Sequence, residues 1–139
     1  MWKTEHTHDS AAAPDAVYAL WADVEGWPAW DASLIATTLA GPFAAGTRGT
    51  LHPQGMPEPI AFELTAVEPG AGFADETRLG PLALRFRHRV EPRGAGSRIV
   101  VSVEADGPGA DSIGPAVAED LPESVAALAG AAMRAGQPA

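Results

Sequence analysis

The chain has 139 residues, 46% of them hydrophobic, a formal net charge of −9 and no cysteine. That length supports one packed core rather than two. The missing thiols exclude disulfides, zinc–thiolate sites, iron–sulfur clusters and cysteine nucleophiles. The acidic balance argues against a nucleic-acid partner, because phosphate backbones repel it, and against anionic membrane surfaces for the same reason.

Chain order begins with Met1-Trp2-Lys3-Thr4-Glu5-His6, which lacks the basic and apolar regions of a signal peptide. The longest apolar stretch, Val125 to Met133, is too short to span a bilayer. The expectation is a cytoplasmic protein without membrane insertion. Trp2 to His8 reads as a strand, with Trp2, Thr4, His6 and His8 on one face. A helix is predicted from Pro14, whose missing N–H costs nothing in a first turn, with Ala16, Val17, Leu20 and Trp21 at helical spacing. It should stop between Asp23 and Gly26. Pro28 then presets a second, short helix carrying Trp27 and Trp30.

From Leu34 to Asp106 turn signals recur at short intervals. Strands are predicted at Leu34–Leu39, Thr47–His52, Ile60–Val67, Gly72–Leu79, Leu82–Glu91 and Ser97–Ala105. Alternation is clearest where Leu82, Leu84, Phe86, His88 and Val90 point one way and Ala83, Arg85, Arg87, Arg89 and Glu91 the other. Ile60, Phe62 and Leu64 form a similar inner row. From Ser112 to Arg134 the period is helical again, with Ile113, Val117, Leu121, Val125, Leu128, Ala132 and Met133 on one stripe. Pro122 either kinks this helix or opens a second one. Residues after Arg134 should fray. The prediction is therefore α+β: seven antiparallel strands, two short helices after the first, and an amphipathic C-terminal helix covering the apolar face.

The run from Val17 to Asp31 fits the pattern V-[WY]-x-x-W-x-D-x-x-x-W-P-x-W-D, and Leu39 to Leu51 fits L-x-G-x-F-x-x-G-T-x-G-x-L. Both resemble stretches of the START-like (SRPBCC) superfamily, in its polyketide cyclase/dehydrase and lipid-transport group. Leu84 to His88 and Gly96 to Ile99 fall where such proteins have their penultimate and last strands. The resemblance covers nearly the whole chain. It implies a helix-grip fold: a curved seven-stranded sheet around a long C-terminal helix, forming one START-like ligand-binding domain over residues 1–139. It also implies a hydrophobic cavity between sheet and helix.

On that reading the ligand-lining residues are Trp30, Phe62, Leu64, Leu84, Phe86, His88, Val101, Val103, Val117 and Leu121. His88, an imidazole on an apolar strand face, is the candidate catalytic group, being able to exchange a proton near neutral pH. A core histidine satisfied by a hydrogen bond is the competing reading. Trp21 and Trp27 are expected to wedge the small helices against the sheet. Asp23 and Asp31 are expected to cap or end helices. No metal is expected: His6 and His8 share a strand face, but no ligand motif supports a site, even with His52 or His88 nearby. Arg85, Arg87 and Arg89 form a basic stripe, read as a solvated face paired with Glu63, Glu104 or similar neighbours. Gly41, Gly46 and Gly49 precede no helix and read as turn and bulge glycines rather than a phosphate loop.

The leading function is binding of an aromatic or lipid-like small molecule, with no cofactor, by a monomer or homodimer. The alternatives are a polyketide cyclase/aromatase-type enzyme, which would fold a reactive chain by shape and water exclusion, and a protein-interaction or chaperone-cofactor module.

Overall fold

The computed structural model describes residues 1–135. A strand β1 (Trp2–Ser10) leads into helix α1 (Pro14–Ala22) and a 3-10 helix at Val24–Ala29. Six strands follow: β2 (Leu34–Leu39), β3 (Arg48–Pro53), β4 (Ile60–Glu68), β5 (Gly72–Leu79), β6 (Leu82–Arg93) and β7 (Gly96–Asp106). Two helices, α2 (Ala110–Ala118) and α3 (Leu121–Ala135), complete it. The strands form one antiparallel sheet in the order β1-β7-β6-β5-β4-β3-β2. From β2 on, consecutive strands pair, through longer loops on either side of β3 and tight turns from β4 to β7, and β1 is brought in from afar against β7.

Helix α1 starts where expected, with Pro14 at its N-terminus and Asp15 in the first turn, where a negative charge complements the helix dipole. The buried Val17 and Trp21 turn inward at helical spacing. The 3-10 helix is pinned by Trp27, whose indole Nε1 donates 3.1 Å to the Trp21 carbonyl, and by Thr37, whose hydroxyl donates to the Val24 carbonyl. Both bonds satisfy carbonyls that the end of α1 and the irregular segment would otherwise leave bare.

The C-terminal cover is long but bent. α2 and α3 are separated by Glu119 and Asp120, and Pro122 lies in the first turn of α3, where proline is tolerated. Of the predicted stripe, Val125, Leu128 and Ala132 are buried. Ile113 and Met133 are exposed, a departure from the single-stripe expectation. The bend accounts for it at Ile113, because a break in the helix resets the face that meets the sheet. The fraying expected after Arg134 concerns residues 136–139, outside those described; Ala135 is still helical.

The core divides in two. The larger cluster joins Val17, Trp21, Trp27, Phe62, Leu64, Phe73, Ile99, Val125 and Leu128. A smaller one joins Leu82, Leu84, Ala105 and Ala110, with Trp2, Phe86 and Val117 packed against it. Close packing needs glycine at several points, Gly49 and Gly114 among them. A Cβ on Gly49 would collide with the Thr38 carbonyl and the Phe62 ring, and one on Gly114 with the Trp2 indole that seats α2 on β1.

On the outer face Arg85 binds Glu76 at 2.9 Å and Glu104 at 3.2 Å. Glu63 pairs instead with Arg48, at 3.2 Å. Among the described residues Arg87 and Arg89 make no ion pair, so the stripe is only partly the paired surface expected.

Candidate functional site

Strand pairing lines the inner face with continuous rows of side chains. One row runs Leu64, Asp75, Phe86, Val103, Thr4 across five strands. The next runs Val67, Phe73, His88, Val101, His6. A third carries Thr77, Leu84, Ala105 and Trp2. Polar groups therefore sit inside an apolar sheet face: Thr4, His6, Asp75, Thr77 and His88, between the two core clusters.

The His88 imidazole is held by aromatic rings. It stacks on Phe73 with centroids 4.1 Å apart and planes within 3°. Trp21 meets it edge-on at 5.7 Å, and Phe86 lies 6.4 Å away at 22°. Its Nδ1 is buried and has no hydrogen-bond partner, while the side chain as a whole keeps 18% of its surface exposed. The exposure therefore lies on other atoms of the side chain than Nδ1. Asp75 on β5 faces the same spot, with Oδ2 3.9 Å from His88 Nδ1, beyond hydrogen-bonding range.

Burial dominates the electrostatics of both groups. It pushes the Asp75 carboxyl up to about 8 and the His88 imidazole down to about 4, because a low-dielectric surrounding disfavours either charge. Near neutral pH the pair is thus a neutral carboxylic acid beside a neutral imidazole, not an ion pair. Together they offer one O–H donor and one unprotonated ring nitrogen against an aromatic wall.

The ten expected lining residues fall into two sets. Phe62, Leu64, Leu84, Val101 and Val103 are packed in the core. Trp30, Phe86, His88, Val117 and Leu121 keep partial exposure. Trp30 also has a buried Nε1 without a partner. A groove of about 290 Å³ runs between β1 and the α2–α3 bend, lined by Trp2, Thr4, His6, Leu121 and others. It lies at the β1 end of the Phe86 and His88 rows. A larger groove of about 590 Å³ lies at a sheet end, lined by the start of α1 and the β4–β5 and β6–β7 turns. It contains none of the ten expected residues. Small turn residues dominate its lining, so the chemistry of the inner face, rather than size, identifies the candidate site.

The histidines do not converge. His52 is on β3, where its Nε2 donates 2.8 Å to the Met56 carbonyl. His6 is separated from His88 by β7. Among the described residues no group of three His, Asp or Glu side chains is placed to hold a metal ion. Asp31 serves structure: it accepts hydrogen bonds from the Ser33 amide and hydroxyl and from Ser124 on α3. No helix among the described residues is long and apolar enough to cross a membrane.

Sequence reasoning missed Asp75. Its only signal is alternation: Phe73, Asp75 and Thr77 share one face of a strand, so a carboxyl placed with Phe73 points inward.

Several solved structures are similar in fold. The di-domain ARO/CYC BexL of the BE-7585A biosynthetic pathway superposes with a TM-score of 0.81 at 20% identity, over 99% of this chain and 48% of that one. The Zhui aromatase/cyclase from Streptomyces sp. R1128 gives 0.78 at 18% identity, over 98% and 96%. Norcoclaurine synthase from Thalictrum flavum, in complex with dopamine and hydroxybenzaldehyde, gives 0.77 at 15% identity, over 99% and 89%. These likenesses show the helix-grip fold. No curated protein matches the chain. The family model described as polyketide cyclase / dehydrase and lipid transport matches residues 1–135, and the chain belongs to that family.

Proposed function

We propose that this protein binds a planar, apolar small molecule against the inner sheet face at Phe86 and His88. One observation carries the reading. Phe86 and His88 lie on β6, a strand paired on both sides, yet both keep exposed surface on the face that the helices cover elsewhere. An aromatic wall left partly open within a packed core is a surface on which a flat ring can stack. Apolar burial supplies the affinity, and the polar groups of the same rows orient the ligand. Membership of a family named for cyclases, dehydrases and lipid transport supports it.

The test is an amide NMR titration with 2-ethylnaphthalene. Shifts should cluster on Thr4, Phe86, His88 and Leu121, and Phe86→Ala should weaken binding. Shifts confined to Ala71, Glu91 and Gly94, in the larger groove, would overturn the assignment.

A second reading, an aromatase/cyclase-type enzyme, is favoured by the uncharged imidazole at the same wall, which can exchange a proton with a bound carbonyl compound. His88→Phe separates the two readings: an enzyme loses turnover, whereas a binder keeps most of its affinity for a hydrocarbon.

A further inference from the structure

His88 Nδ1 is buried without a hydrogen-bond partner, and the buried Asp75 carboxyl lies beside it. Buried polar atoms without partners are uncommon, because each forfeits the hydrogen bond it would make in water. His88 Nδ1 is one such atom, and the buried Asp75 carboxyl faces it. Asp75 Oδ2 and His88 Nδ1 are 3.9 Å apart, about 1 Å longer than a hydrogen bond, so a hydrogen bond between them forms only when the carboxyl turns towards the ring. The surrounding rows contribute Leu64, Phe86, Val103, Phe73 and Val101, none of them charged. The imidazole is clamped flat on Phe73 with Trp21 at its edge, so it cannot turn away from Asp75 freely.

We propose that Asp75 fixes the His88 proton on Nε2, and that this N–H donates a hydrogen bond to the carbonyl oxygen of a planar, apolar ketone lying against Phe86. The inference rests on the binding reading above and adds the ligand's chemical class. Asp75 is a positioning residue: as a neutral acid it donates its O–H to Nδ1, which leaves Nε2 as the protonated nitrogen. A neutral N–H in an apolar site rewards an acceptor that carries little hydration of its own, which describes a conjugated ketone better than a carboxylate or phosphate.

The experiment compares 2-acetylnaphthalene with its hydrocarbon analogue 2-ethylnaphthalene and with 2-naphthol, using calorimetric titration of the full chain. The ketone should bind about five- to tenfold more tightly than the hydrocarbon, as one net hydrogen bond implies. Asp75→Leu should abolish that preference, and Asp75→Asn, which keeps an N–H donor towards Nδ1, should retain it. Nitrogen NMR of the wild-type His88 ring at pH 7 should show an unprotonated Nδ1 and a protonated Nε2, a readout that does not depend on any variant folding. Equal affinity for ketone and hydrocarbon, or the opposite tautomer, overturns the carbonyl assignment and leaves the binding reading intact. A preference for 2-naphthol over the ketone makes Nε2 an acceptor and also overturns it. Binding of none of the three overturns both.

Discussion

Ser124, on the first turns of α3, donates a hydrogen bond of 3.0 Å to Asp31 Oδ2, tying the C-terminal helix to the segment after the 3-10 helix across 93 positions of chain. The other carboxylate oxygen accepts from the Ser33 amide at 3.0 Å and the Ser33 hydroxyl at 2.6 Å. One side chain thus builds a local turn and anchors the cover of the sheet.

Asp31→Ala should therefore destabilise the protein by about 1–3 kcal/mol, since it strands partly buried donors, whereas Ser124→Ala should cost about 1 kcal/mol or less. Urea unfolding measures both. Equal stability of Asp31→Ala and wild type would show that water replaces the carboxylate at no cost.

Stability should vary with pH in a way set by Asp75 and His88. The unfolded carboxyl loses its proton above its ordinary 3.8, while the folded one holds it to about 8. The folded state thus binds more protons than the unfolded across that range, and stability falls as pH rises. His88 acts oppositely: the unfolded imidazole takes a proton below 6.5, which the folded one refuses until about 4, so stability falls as pH drops across that interval. Between about 4 and 6.5 the two slopes cancel. From 6.5 to 8 Asp75 acts alone, removing about 2 kcal/mol at ~1.4 kcal/mol per unit. Asp9 and Glu76, held low chiefly by hydrogen bonds from Arg98 and Arg85, alter stability only below their ordinary values of 3.8 and 4.5. Urea midpoints at pH 6.5 and 8 should differ for wild type and coincide for Asp75→Asn; a flat wild-type profile there would refute the account.

Gly114→Ala should cost about 1–3 kcal/mol, because the new methyl meets the Trp2 ring and α2 must lift from β1. Thermal unfolding and a shifted Trp2 indole resonance report it. An unchanged melting temperature would mean that α2 can slide without loss.

Trp27→Phe keeps most of the aromatic packing on Phe62 and Phe73 but removes the indole donor to the Trp21 carbonyl. The buried carbonyl left behind should lower stability by about 1–2 kcal/mol. Guanidinium unfolding would expose the contrary case, a variant as stable as wild type.

Local chemistry settled much of this protein from sequence alone. Proline at a helix start placed α1 at Pro14, turn residues bounded β2 and β5 at Leu34–Leu39 and Gly72–Leu79, and alternation marked which side of β6 meets the core. These features depend on a few neighbouring residues, so they survive without knowledge of the rest of the chain. At Pro122 the sequence left a kink or a new helix open, and the fold chose a new helix with a two-residue break before it. Asp75 lay still further out of reach. Alternation puts it on the face of Phe73, but only the pairing of β5 with β6 sets Phe73 against His88 and Asp75 against Phe86. Burial, the raised carboxyl and the 3.9 Å approach to Nδ1 all follow from that register and from helices packed over it. They belong to tertiary structure because solvent exclusion is a property of everything around a group, and no stretch of sequence carries its own surroundings.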